Sequence, residues 1–424
     1  MGKGDEHTQK QNKRQFSMKI QHVAIYFVSA EKGKLLSSKI QLKLQLLIFL
    51  LIICLKAGGA FGQGKMGFEL AGYAGKLLDI SSEFPEVRTN FQIDFAAILT
   101  NRKHKYWHSV YNYPLIHIRG VVANYGNNEI LGSSFTVLPE IHYNKDLGNS
   151  YFFNYHVGYG ISYFTKPYDA IKNPDNLVIG SPIVATPAAG IGLGKKINNF
   201  TYSILFNYRH SSNGHFSVPN IGTNVPLIGI GIQCVPKMNS TDTISTLSRV
   251  NLNKRIRFSI GGGYGIHEVE GTLFPTGGPK YRVIYGRIEA SKRISYKSSL
   301  HVGFTCNTSE AAKYMIINES LFDGTIGLNH VKVIGYFGHE FHLGHLGIYL
   351  DLGLNVYDPF RKELIRREFL VSKFFDTHFS NEIGFNYYLT DPVENRNLNF
   401  VANLSLRTIW GKADFFNAGL KVLF

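Results

Sequence analysis

Tryptophan and cysteine are scarce in this chain of 424 residues, with 2 Trp against 24 Tyr and 31 Phe, and 3 Cys in all. Cys54, Cys234 and Cys306 show no CxxC spacing, which excludes zinc-finger and dithiol redox motifs. Cys234 and Cys306 are left with two states, a disulfide or two free thiols; free thiols are favoured because both residues fall inside apparent strands. Long apolar runs are lacking too: after Gln63 none approaches the ~20 residues that a membrane helix needs. Acidic residues are in deficit, giving a formal net charge of +15. Ten Lys and Arg against three acids in residues 1–62 supply +7 of that, leaving +8 for the rest. The basicity is therefore no argument for nucleic acid, and what remains suits either a solvated surface or an anionic one such as phosphorylated lipid.

What the chain does have is glycine, at 43 positions, and aromatics at 13%. Its mean hydropathy is −0.07, because apolar and polar residues alternate instead of forming blocks. That mixture favours strands with one apolar and one polar face, broken by tight turns. The exception is KIQLKLQLLIFLLIICLKAGGAFGQ, residues 39–63, which has a basic start, the apolar run 46–55 and then small residues. It reads as a secretory signal peptide cleaved after Gly62, with Ala60 and Gly62 at the positions the peptidase reads. Cys54 follows Leu-Ile-Ile and not a small residue, which argues against a lipoprotein anchor. Residues 1–38 are polar and unpatterned, as if the start were assigned too early, and Met18 offers a second start.

Segments of period two recur through residues 67–424, and the last one, FFNAGLKVLF, puts Phe416, Ala418, Leu420, Val422 and Phe424 on one face. The count is sixteen strands, with fourteen as the alternative. The expected fold is all-β: one antiparallel outer-membrane β-barrel over residues 63–424, following an extension and signal peptide over 1–62. If both ends lie in the periplasm, NKDLGN, KKINN and HLGH become short periplasmic turns. The segments TKPYDAIKNPDNLVIG, SEAAKYMIINESLFDG and DPFRKELIRREFLVSKFFDTHFS become long outer loops. Two long stretches, 100–113 and 237–255, break that alternation.

One hairpin carries chemistry. In NFTYSILFNYRH, residues 199–210, the even positions from Tyr202 to Tyr208 share the lipid-side face, and His210 and Ser212 continue it. In NVPLIGIGIQC, residues 224–234, Asn224 extends the face of Ile228, Ile230 and Ile232. A polar trio on such a face is costly unless something uses it. Serine becomes a nucleophile when a nearby imidazole accepts its proton, and a third group must orient that imidazole. Ser212, His210 and Asn224 fit these roles, with Asn213 and the Gly214 N–H as candidate oxyanion donors. The plain alternative is a polar hairpin rim with ordinary Asn-Gly turns.

HSSN followed by PN and a polar residue on the second strand resembles the active-site hairpin of the PagL family, outer-membrane lipid A 3-O-deacylases whose histidine, serine and glutamate face lipid. Here Asn224 stands where that family has glutamate. A longer subgroup, the acyloxyacyl hydrolases, is similar in PNxGxN, WHSVYNYP (107–114), GISYFTKPYD (160–169), NPDNLVIGS (173–181) and GKADF (411–415). The PagL-like part covers residues 67–236, and 253–424 are additional strands. The resemblance implies hydrolysis of an ester-linked acyl chain of lipopolysaccharide in the outer leaflet, at the cell outer membrane, with no cofactor and no metal. It leaves the oligomeric state open.

Other patterns carry less. GHEFHLGH, residues 338–345, lacks His-Glu-x-x-His spacing, and alternation sends His339 and His342 to opposite faces, so it reads as a solvated periplasmic turn. The glycines of SIGGGYGIHEVEG precede no helix, which excludes a dinucleotide loop; His267, Glu268 and Glu270 read as exposed rim residues. Arg361, Lys362, Arg366 and Arg367 form an outer basic cluster, facing phosphate-bearing lipid heads or simply paired with Glu363 and Glu368. Two non-enzymatic readings stay open: a channel, because sixteen strands enclose a conducting lumen, and a surface-binding barrel using its long loops.

Overall fold

A computed structural model describes residues 66–424 apart from 80, 82–83, 100–105, 236–251, 253, 270–275, 368–373, 391 and 393–396. The expected signal peptide and N-terminal extension, with Cys54, lie outside the described residues, as do Glu270 and Glu368. Sixteen antiparallel strands appear where the alternation places them. The first eight are β1 Met66–Gly75, β2 Asn90–Leu99, β3 Leu115–Asn124, β4 Ser133–Gly148, β5 Tyr151–Phe164, β6 Ile183–Ile197, β7 Phe200–Ser211 and β8 Thr223–Cys234. The second eight are β9 Ile256–Glu268, β10 Lys280–Ser295, β11 Ser298–Ser309, β12 Val331–Leu343, β13 Leu346–Tyr357, β14 Asn381–Tyr388, β15 Asn399–Ile409 and β16 Lys412–Leu423.

Closure departs from the expected single barrel. β1 pairs with β8, from Phe68 opposite Cys234 to Gly75 opposite Leu227, and β9 pairs with β16, so the chain forms two closed barrels of eight strands. The stretch 237–255, which broke the turn alternation, connects them. Both barrels belong to one compact unit, Gln63–Phe424. Cys234 and Cys306 lie in different barrels as free thiols.

Each barrel is polar inside and apolar outside, the arrangement of a transmembrane β-barrel. On β7, Ile204 and Phe206 point out, 64% and 50% exposed, while Leu205, Asn207 and Arg209 point in and are buried. Inside the first barrel, Arg119 donates to Glu140 at 2.8 Å and to Glu69 at 2.9 Å, and Arg209 pairs with Asp94. Inside the second, Arg287 pairs with Glu382 at 3.0 Å and Asp351 at 2.5 Å, and Lys421 reaches Glu289 at 3.4 Å. Charges held this way neutralise one another where unpaired ones would be prohibitive. They lie inside rings of eight strands, each narrower than the sixteen-stranded lumen behind the channel reading.

At one end the strands are joined by short turns such as 149–150, 198–199 and 344–345, and at the other by long loops. Among the described residues, four short α-helices punctuate these connections: α1 Tyr106–Val110, α2 Glu310–Asn318, α3 Pro359–Arg366 and α4 Phe374–His378. Beneath the long loops of the first barrel, Tyr73, Leu77, Tyr125, Phe164, Val178, Ile179 and Leu227 form an apolar plug. A hydroxyl ladder, Thr136–Ser162–Thr186–Ser211, crosses the interior with spacings of 2.6, 2.5 and 3.0 Å and ends one residue before Ser212.

Candidate active site

The hairpin β7–β8 brings His210 and Asn224 directly opposite each other in register. Their side chains lie on the outer face, because they share parity with the exposed Ile204 and Ile228. Ser212 continues that face beyond the end of β7. Its backbone is fixed by a two-way bridge to Ala185, with Ser212 N–H to Ala185 O at 3.0 Å and Ala185 N–H to Ser212 O at 2.9 Å. The site therefore sits on a strand end held from both sides.

His210 Nδ1 lies 2.9 Å from Asn224 Oδ1. A carboxamide oxygen can only accept, so this contact selects the tautomer with the proton on Nδ1 and leaves Nε2 with a lone pair. Tyr208, which alternation alone assigned to the apolar face, donates its hydroxyl to the same Oδ1 at 2.7 Å and braces it. Ser212 Oγ accepts from Asn220 Nδ2 at 2.9 Å and from Gly214 N–H at 3.2 Å. No hydrogen bond joins Ser212 to His210 in this geometry. The two side chains flank Gly222, where a Cβ would lie 3.2 Å from His210 Cε1 and 3.5 Å from Ser212 Cβ. Glycine suits this position, which also has φ +80°.

Sequence reasoning assigned Asn213 as an oxyanion donor, but its carboxamide is turned away. Nδ2 donates to Ser217 O at 2.7 Å and Oδ1 accepts from Ser217 N–H at 3.4 Å, so Asn213 shapes the loop. Asn220, read only as a turn residue, reaches the serine instead, and its Oδ1 accepts from Asn213 N–H at 3.1 Å. The PNxGxN spacing was the signal available for it.

The loop is clasped by the second barrel. Glu268, expected to be an exposed rim residue, is 1% exposed. Its carboxylate accepts from Ser217 Oγ at 3.2 Å, Val218 N–H at 3.3 Å, Gly277 N–H at 2.6 Å and Lys280 Nζ at 3.3 Å. Gly214 comes so close to the second barrel that a Cβ there would sit 2.2 Å from the Phe416 ring, and its φ of +62° independently favours glycine. The segment NPDNLVIGS buttresses the same region. Asn176 Oδ1 accepts from the N–H groups of Val178 and Ile179 at 3.1 Å, and Val178 O accepts from Gly222 N–H at 2.8 Å. WHSVYNYP lies at the opposite end, where Trp107 covers the Gly344 turn of the second barrel.

Between the barrels at the loop end is a cavity of about 970 Å³ lined by His210, Ser212 and Asn224 from the first barrel and by Phe385, Leu404, Leu406 and Phe416 from the second. The basic cluster divides there. Arg366 and Arg367 are bound to Glu363, and the Arg366 hydrogen bond, with help from Arg367, holds that carboxyl down at about 2. Arg361 lines the cavity instead, its Nε buried and without a hydrogen-bond partner among the described residues.

In GHEFHLGH, His339 faces outward and His342 inward, as alternation requires. Glu340 and His342 are buried, not solvated: Glu340 accepts from Tyr388 Oη at 2.8 Å, and His342 bonds Ser299 at 2.6 Å. A group with metal-ligand chemistry lies inside the first barrel, where His117, Glu140 and His142 bring one donor atom each within 4.8 Å of the others. Arg119 pairs with Glu140 at 2.8 Å, Glu140 also meets His142 Nε2 at 2.8 Å, and the His117 and His142 rings stack at 3.6 Å.

Residues 96–233 match the family model PagL, lipid A 3-O-deacylase. No curated protein matches the chain. Among solved structures, the outer membrane enzyme PagL is 14% identical, covering 38% of this chain and 97% of its own at a TM-score of 0.27. Neisserial surface protein A is 10% identical over 40% of this chain and 96% of its own, with a TM-score of 0.29. The N-terminal β-barrel domain of Pseudomonas aeruginosa OprF is 10% identical over 40% of this chain and 99% of its own, with a TM-score of 0.25.

Proposed function

We propose that this chain is an outer-membrane ester hydrolase that removes an ester-linked acyl chain from lipid A, with Ser212 as nucleophile, His210 as general base and then acid, and Asn224 orienting the imidazole. The match of residues 96–233 to the lipid A 3-O-deacylase family supports the substrate class and the membrane. The observation that carries the residue roles is the pair of contacts around the trio. His210 Nδ1 is held by Asn224, while Ser212 Oγ receives two N–H donors.

In the reaction, His210 Nε2 takes the hydroxyl proton as Oγ bonds to the ester carbonyl carbon, and the carbonyl oxygen becomes an oxyanion. Gly214 N–H and Asn220 Nδ2, which now meet the serine oxygen, are the donors closest to where that charge develops. Collapse breaks the ester C–O bond, and the imidazolium returns its proton to the leaving alkoxide. Water then hydrolyses the acyl-serine by the same proton path. The reaction requires the hydroxyl to come within hydrogen-bond reach of Nε2, and catalytic hydrogen bonds commonly tighten only with substrate. Asn224 orients the imidazole without the negative charge that would stabilise its protonated form, and Tyr208 limits that deficit by fixing the carboxamide.

Mass spectrometry of lipid A incubated with the purified protein tests the reading. A loss of one acyl chain with the wild type and none with Ser212→Ala is expected; unchanged lipid A with both sinks it.

A further inference from the structure

The second barrel has no counterpart to the His210, Ser212 and Asn224 trio on its own final hairpin, where residues 410–411 make a two-residue turn between β15 and β16. What it brings to the site is a wall. Leu404 and Leu406 on β15, Phe416 on β16 and Phe385 on β14 face the trio across the cavity. The faces of both barrels that meet there are apolar strand exteriors, continuous with the surfaces that each barrel otherwise turns to lipid. At the loop end the chemistry changes: Arg361, Lys412, Asp376 and Asp414 border the same space. Lys412 has Asp376 at 3.8 Å, whereas the Arg361 guanidinium meets no carboxylate within ion-pair distance among the described residues.

A buried guanidinium Nε without an acceptor is costly and is satisfied by an anion, most strongly by a phosphate or carboxylate taken through two N–H groups. An apolar slot whose mouth holds one guanidinium without a carboxylate partner among the described residues is complementary to an amphiphile having an acyl tail and an acidic head. The volume of about 970 Å³ is at the upper end of small-molecule sites, which suits one chain and part of a head group and not a whole multi-chain lipid.

We propose that the crevice between the barrels binds a phosphorylated acyl lipid, with one acyl chain between the two apolar walls and a head-group phosphate on Arg361, so that the second barrel forms half of the substrate site. The inference rests on the hydrolase reading for the identity of the lipid, but not for the existence of the crevice. It assigns the second barrel a task that a single eight-stranded barrel leaves to the bilayer: holding one chain beside the serine while the remaining chains stay in the membrane.

The test uses full-length protein carrying Ser212→Ala in detergent micelles, titrated with lipid A and with dephosphorylated lipid A bearing the same chains. Tighter binding of the phosphorylated lipid by about tenfold is expected, from one charge-assisted bidentate contact. Adding Arg361→Gln is expected to collapse that preference to nearly one. Adding Leu406→Trp, which fills the slot, is expected to weaken both lipids, whereas Leu352→Trp on an outer face away from the cavity leaves binding as it was. Circular dichroism confirms that each variant is folded.

A phosphate preference that survives Arg361→Gln, or binding indifferent to Leu406→Trp, overturns the proposal. The hydrolase reading fails separately: wild-type protein that leaves lipid A intact while the titrations behave as expected removes the reaction and keeps the crevice. Cleavage by wild-type protein with no dependence on Arg361 or Leu406 does the reverse.

Discussion

The last two strands of each barrel make an instructive pair. β7–β8 and β15–β16 occupy equivalent places in their rings, alternate in the same way, and present apolar side chains outward. In one, residues 212–222 rise as a loop that gathers Gly214, Asn220 and Gly222 around a serine. In the other, a two-residue turn closes the hairpin, and its outer face becomes the opposite wall of the cavity. The interiors of the two barrels follow one plan, an arginine surrounded by carboxylates. Stability is therefore built the same way twice, and the functional difference lies in what is attached to the rim.

That contrast breaks most severely at the serine. Ser212→Ala should lower turnover by about 10³-fold or more while leaving both barrels folded, as judged by acyl release measured alongside circular dichroism. A substitution on the outer face of the second barrel away from the cavity, Leu352→Ala, should cost little by comparison. An interior change should not distinguish the barrels. Arg119→Met and Arg287→Met each strand buried carboxylates and should each destabilise by about 3–5 kcal/mol, seen as a lower urea midpoint for refolding into vesicles.

The orienting residue sharpens the comparison in the other direction. Asn224→Glu restores a negative charge beside His210 and should raise kcat by about tenfold, with the largest gain where the imidazolium forms; a fall in kcat would argue against His210 as base. Tyr208→Phe removes one hydrogen bond worth about 0.5–1.5 kcal/mol and should slow turnover a few-fold, an effect that Asn224→Glu offsets. Glu268→Ala should loosen residues 213–219 across the barrel junction, read as faster proteolysis of that loop and a lower kcat, with Glu268→Gln intermediate because its oxygen still accepts.

The smallest effect concerns pH. Glu363 has its carboxyl lowered from 4.5 to about 2 by Arg366 and Arg367. A lowered carboxyl contributes order that is fully present above its ordinary range and is lost as pH falls toward 2. The loop bearing Arg361 should therefore keep its protease resistance above about pH 5 and lose it progressively as pH falls toward 2.

Much of this was legible because β alternation is local. Every strand of the two barrels is visible as a period-two segment, and the parity of Ile204, Phe206 and Tyr208 already carried His210 and Ser212 to the outer face. Closure was not legible, since nothing in β8 or β16 states which distant edge it will meet; the length of 237–255 was the clue, and it read as an irregularity. Asn220 and Tyr208 escaped for a related reason. Their roles depend on side-chain reach across a loop and across a strand pair, which period two does not encode. Glu268 looked like a rim acid because the surface that buries it comes from the other barrel.

The sequence alone determined the strands, their facing, and which hairpin bears a hydroxyl, an imidazole and a carboxamide together, because each follows from residues a few positions apart. Only the tertiary structure decided that sixteen strands close as eight and eight, that the serine faces a second protein wall, and that Arg361 is set apart from the arginines beside it. Those outcomes rest on contacts between segments tens to hundreds of residues apart, where edge pairing and shape complementarity, not alternation, choose the partner.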